Sequence, residues 1–121
     1  MIAVHEYHNI RVAEYAVKNH LLNREYIVAR VTEHHGKDTV PFNLIAWQVS
    51  GEMTFIRVRS CRKGSSKQGF RNEVRDLSTL LQSHRYPGSI HLWIYDDGIW
   101  KQYLILLGGA IRIGEFKNAR S

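Results

Sequence analysis

The chain has one cysteine, two prolines and no uninterrupted apolar run of membrane length among its 121 residues. With Cys61 as the sole thiol, no intrachain disulfide can form, which argues for a reducing compartment and against a secreted disulfide framework. The longest apolar run, 103 to 111, contains Gly108 and Gly109 and is well short of the roughly 20 residues a membrane helix requires. The first twenty residues carry His5, Glu6, His8, Arg11, Glu14 and Lys18, so the apolar centre of a signal peptide cannot be placed there. A soluble, cytoplasmic protein without a membrane partner is expected. Metal signatures are missing too. No Cys-x-x-Cys or His-Glu-x-x-His spacing occurs, and the adjacent His34 and His35 reach one ion only if a special loop turns them together. No metal is assigned. Without Walker-type glycine spacing, nucleotide triphosphate binding is unsupported. Neither repeats nor a linker divide the chain, so 1–121 is expected to be a single domain, with enough hydrophobic residues (44%) for one core.

What is present is concentrated positive charge. Residues 57 to 75 hold Arg57, Arg59, Arg62, Lys63, Lys67, Arg71 and Arg75 against one acid, Glu73, while the rest of the chain balances ten basic residues with ten acidic ones. The whole net charge of +6 therefore comes from one segment. Such concentration is the footprint of a polyanion-binding face, the alternative being a solubilising loop.

Ile10, Ala13, Val17 and Leu21 recur at intervals of three and four, which predicts an amphipathic helix from about Asn9, its cap, to Leu22. Strands are predicted over Arg24–Val31, Val40–Gln48 and Met53–Arg59, forming an antiparallel meander. A second helix follows, marked by Val74, Leu77, Leu80 and Leu81 and ending before Pro87-Gly88. Ile90–Tyr95 and Ile99–Leu106 flank the turn Asp96-Asp97-Gly98 as a hairpin, with room for a short final strand over Ala110–Phe116. The fold class is α/β, order αβββαββ, a central mixed sheet flanked by two helices. In the third strand Ile56 and Val58 share one face, and Arg57 and Arg59 the other.

This arrangement resembles the PD-(D/E)XK, or restriction-endonuclease-like, nuclease superfamily, and looks closest to its archaeal Holliday junction resolvase branch. Glu14 matches the family's first-helix glutamate. Asn43, in Pro41-Phe42-Asn43-Leu44-Ile45-Ala46, falls on its strand-two aspartate, and Ile56-Arg57-Val58-Arg59 on its acid-x-lysine triplet. The resemblance implies a nuclease that holds magnesium on carboxylates to activate water. Here Asn43 lacks the charge, and Arg57 offers a guanidinium with no lone pair. The four positions Glu14, Asn43, Arg57 and Arg59 nevertheless carry one net positive charge without a metal.

The resemblance thus implies a degenerate pseudoenzyme, a nucleic-acid-binding homologue without cofactor. Arg57 and Arg59 are expected to clamp phosphate beside Glu14, with Arg62, Lys63, Lys67 and Arg71 extending the DNA-binding face. The implied partners are DNA, including branched DNA, and a second copy or an active nuclease. Two other readings stay open. In one, Glu33, Asp38 or Glu52 takes over as ligand and the chain is an active magnesium- or manganese-dependent endonuclease; in the other, the fold is a protein-interaction module. Blander roles are also open: Glu14 pairing along its helix with Arg11 or Lys18, Arg57 and Arg59 protecting an edge strand, and Asn43 satisfying a local hydrogen bond.

Overall fold

Residues that repeat at helical spacing and residues that alternate at strand spacing segregate cleanly along this chain. The structure, a computed structural model, describes residues 10–31, 41–49, 51–61, 68–83 and 86–117. Helix α1 covers Ile10–Leu22, and its buried stripe is Ala13, Glu14, Val17 and Leu21. Ile10, expected on that stripe, is exposed, and an acid occupies the buried face instead. Three strands follow, β1 (Ile27–Arg30), β2 (Leu44–Trp47) and β3 (Met53–Ser60), paired antiparallel in sequence order. Helix α2 (Gln68–Ser83) then crosses to β4 (Gly88–Asp96), which runs parallel to β3. Strands β5 (Ile99–Leu106) and β6 (Gly109–Lys117) complete a six-stranded mixed sheet in the order β1-β2-β3-β4-β5-β6. The predicted architecture holds, with β6 a full nine-residue strand rather than a short addition. The proposed Asn9 cap and the turn at 32–38 lie outside the described residues.

The first two strands are shorter than predicted. Pro41 has no N–H to give to a ladder, and regular pairing of β2 begins only at Leu44. Just before it, the Asn43 backbone N–H donates to the Ile56 carbonyl at 2.8 Å, and the Asn43 carbonyl accepts from the Val31 N–H at 2.9 Å.

Each face of the sheet buries its own core. Against α1 lie Leu44, Ala46, Ile56, Val58, Trp93 and Trp100, and against α2 lie Phe55, Ile90, Leu92, Ile94 and Ile105. Because β4 is covered on both sides, its sequence reads as an almost continuous apolar run. Trp93 and Trp100 are core residues, as their place in strands implies. At the far end of the α1 face, His20 stacks on Phe116 with centroids 3.5 Å apart, and the Trp93 indole N–H donates to His91 Nδ1 at 3.1 Å.

Two expectations follow from this packing. Gly88 pairs with Met53 at the start of the parallel ladder, and a Cβ on it would stand 1.6 Å from the Met53 carbonyl oxygen. We expect Gly88→Ala to cost more than about 2 kcal/mol in denaturant titration, above the about 1 kcal/mol typical of a point substitution. Gly98→Ala, at φ +86° with open space around it, should cost only the roughly 1–2 kcal/mol of a left-handed residue. The second expectation concerns pH. Burial lowers the His91 pKa from 6.5 to about 4, so the folded chain keeps this ring neutral while the unfolded chain protonates it. The unfolded state binds more protons between those values, so stability is full above pH 6.5 and falls as pH drops toward 4, by up to about 3 kcal/mol. Melting temperatures of wild type and His91→Gln, compared between pH 7 and pH 4.5, check this: the variant should show the shallower decline.

Candidate functional site

Near the C-terminal end of β3 the sheet carries a charged group on each face. On the α1 face, Glu14 is held inside the helix stripe at 6% exposure. Its Oε1 accepts from Arg30 Nε at 2.8 Å and its Oε2 from Asn43 Nδ2 at 2.6 Å. Arg30 comes from the end of β1 and Asn43 from the approach to β2, so one carboxylate ties the helix to two strands. The Asn43 amide is used at both ends. Its Oδ1 accepts the Val58 backbone N–H at 2.7 Å, continuing the β2–β3 contacts beyond the last register pair, Leu44 and Ile56. Beyond any pairing along its own helix, Glu14 thus makes its hydrogen bonds across the sheet.

On the α2 face, Arg57 and Arg59 converge on Glu73, which projects from α2. Arg57 Nε lies 2.8 Å from Glu73 Oε2, and Arg59 Nε lies 3.2 Å from Oε1. Both guanidiniums meet the acid through Nε, and among the described residues neither has a second acceptor. Each guanidinium also carries two Nη nitrogens with two N–H donors apiece. One negative charge is shared by two positive ones. The side chains of Arg57 and Arg59 remain 27% and 43% exposed. Strand β3 lies between β2 and β4, so these arginines do not guard an edge.

The cleft expected from sequence is corrected by this geometry. Glu14 and Asn43 meet, but Arg57 and Arg59 lie on the opposite face of β3. Toward α1, β3 turns Ile56 and Val58, both fully buried and aliphatic, with Thr54 and Ser60 next in the alternation at the strand's ends. Side chains alternate strictly along a strand, so a one-residue difference in matching exchanges the faces. Arg71 stands exposed on α2 and lines the groove between that helix and the β4–β6 half of the sheet. Arg62, Lys63 and Lys67 lie outside the described residues, as do Glu33, His34, His35 and Asp38. Glu52 is exposed at the other end of β3, six residues and about 20 Å of extended chain from Val58.

The donor set around Glu14 does not fit magnesium or manganese. Such ions take several hard oxygen ligands. Among the described residues this face offers one carboxylate whose oxygens already accept from Arg30 and Asn43, an amide oxygen engaged by Val58, the aliphatic Ile56 and Val58, and one uncharged hydroxyl next in the alternation, that of Ser60. No cluster of three or more His, Cys, Asp or Glu side chains forms among the described residues. Two members of the charged groups were missed from sequence, Arg30 and Glu73. Glu73 had a signal, being the sole acid in the basic segment; Arg30 had none, since its partner is 16 residues away on another element.

No protein-family model and no curated protein sequence matches the chain. Among solved structures, it is similar to the 1.6 Å structure of Archaeoglobus fulgidus Hjc, a Holliday junction resolvase from an archaeal hyperthermophile, with a TM-score of 0.56, 12% sequence identity and 87% of each chain covered. The shared feature is the fold. This chain has the restriction-endonuclease-like α/β core, a mixed sheet between two helices.

Removing the Asn43 amide strands the Val58 N–H and one oxygen of Glu14. Asn43→Ala is expected to lower stability by roughly 2–3 kcal/mol, the cost of leaving buried polar partners unmet. Urea unfolding compared with Asn43→Gln, which lengthens the arm but keeps the amide, measures how much of that loss comes from the hydrogen bonds.

Proposed function

We propose that this chain is a nucleic-acid-binding protein on a nuclease fold, that it makes its phosphate contacts on the α2 face of β3, and that Glu14 is a structural carboxylate rather than a catalytic one. The observation that carries the reading is the Arg57–Glu73–Arg59 group. A single acid meets two guanidiniums at Nε, leaving one positive charge in excess. Both side chains stay partly exposed, and the Nη donors of a guanidinium suit phosphate oxygens. Chain connectivity adds to this: the segment between β3 and α2 supplies Arg62, Lys63 and Lys67 between these arginines and Arg71. The fold likeness to a junction resolvase makes DNA, including branched DNA, the first polyanion to try.

Hydrolysis by a carboxylate-held metal is not part of this reading. The acid-x-lysine pair that such chemistry uses would have to face Glu14, and that face of β3 presents Ile56 and Val58. The chain binds phosphate without cutting it, alone, as a pair of copies, or beside an active nuclease.

Binding to a four-way junction, a duplex and a single strand, followed by gel shift across a salt series, tests this. The Arg57→Ala/Arg59→Ala double variant should bind at least about tenfold more weakly, with a shallower salt dependence, since each lost phosphate contact removes close to one unit of slope. Glu73→Gln should retain binding. Unchanged binding by the double variant removes these arginines from the interface, and absence of binding even at low salt favours a protein-interaction module. Incubation with magnesium or manganese should leave every substrate intact, and cleavage lost in Glu14→Gln would overturn the assignment of Glu14.

A further inference from the structure

A second feature of the α2 face is not explained by phosphate contacts. Between α2 and strands β4 to β6 runs a groove of about 670 Å³, within the roughly 300–1,000 Å³ range of ligand pockets. Its floor is apolar, made by Leu92 and Ile94 of β4 and by Tyr103 of β5. Its rim is cationic. Arg71 and Arg75, one turn apart on α2, stand across from Lys101 and Arg112, against a single lining acid, Asp96. That acid is already held by Lys101 at 3.2 Å. Arg112 contacts Glu115 in an exposed pair, the kind that contributes little and exchanges readily for another anion. The walls are preformed: the buried Ser78 hydroxyl donates to the Leu106 carbonyl at 2.6 Å and pins the helix to the β5–β6 turn.

An apolar floor beneath a cationic rim calls for an occupant that is both flat and anionic. In a duplex the bases are stacked inside and only phosphates and base edges are presented, so the floor would go unused. An unpaired nucleotide presents a ring face to Tyr103 and carries phosphates to the arginines on either side. The β3 arginines stand next to the groove without lining it, Arg59 being the register partner of the floor residue Ile94 on the neighbouring strand. We propose that this groove takes unpaired bases of a single-stranded nucleic acid, whose backbone then passes to Arg59 and Arg57. This rests on the nucleic-acid reading above and names its substrate class.

Fluorescence anisotropy with labelled oligo(dT), a duplex of equal length and dTMP as competitor tests it. Wild type should bind the single strand about tenfold more tightly than the duplex, a preference worth one stacked base. Tyr103→Leu, which keeps an apolar side chain in the sheet, should lose most of that preference, with its fold checked by thermal melting. The exposed pair Arg75→Ala/Arg112→Ala should lower the single-strand salt slope by about 1.4, two contacts at the single-strand value. If duplex and single strand bind equally and the groove variants match wild type while Arg57→Ala/Arg59→Ala is weakened, the groove inference fails and the phosphate reading stands. If nothing binds at low salt, the phosphate reading itself fails. Competition by dTMP as effective as by the oligonucleotide identifies a small-molecule site and overturns the single-strand assignment.

Discussion

Strand β3 runs under α1 on one side and beside α2, which seats over β4 to β6, on the other, and the two-residue period of an extended chain sends its side chains alternately to one side or the other. Ile56 and Val58 go to α1, and Arg57 and Arg59 go to α2. Everything chemical about the molecule is organised by that partition. The α1 set is fully buried, whereas the arginine set stays partly in solvent. The aliphatic pair needs only packing. The arginines need an acid, and α2 supplies Glu73.

Two acids near one end of the strand therefore do different work. Glu14 is the more deeply buried, and both its oxygens are engaged by groups from other strands. A buried carboxylate is tolerated when it is paired and hydrogen-bonded, and its removal strands its partners. Asn43 extends the arrangement by capping the β2–β3 ladder with its own amide. Glu73, by contrast, is outnumbered by its partners, and the surplus charge faces solvent.

The helix–sheet groove adds to the same face a different kind of surface, apolar beneath and cationic around. Its position follows from how α2 seats on the sheet. Leu77 and its neighbours anchor the helix over β4 and β5, and Ser78 ties it to the β5–β6 turn, leaving Arg71 and Arg75 along its outer flank. Charges from α2, β5 and β6 meet there although they are far apart in sequence.

Periodicity and turn chemistry in the sequence determined the elements, their order, the meander and hairpin pairings, and the concentration of positive charge between 57 and 75, because all of these depend on neighbours a few residues apart. The alternation of β3 was equally legible. Which of its faces meets α1 was not, since that depends on how the helix docks across the sheet, and matching residues to a motif by position alone put the arginines beside Glu14. Only the tertiary structure decided that Glu14 belongs to Arg30 and Asn43, that Glu73 belongs to Arg57 and Arg59, and that a groove opens beside α2. Each of these is a contact between elements distant in sequence, made by packing that no local pattern encodes.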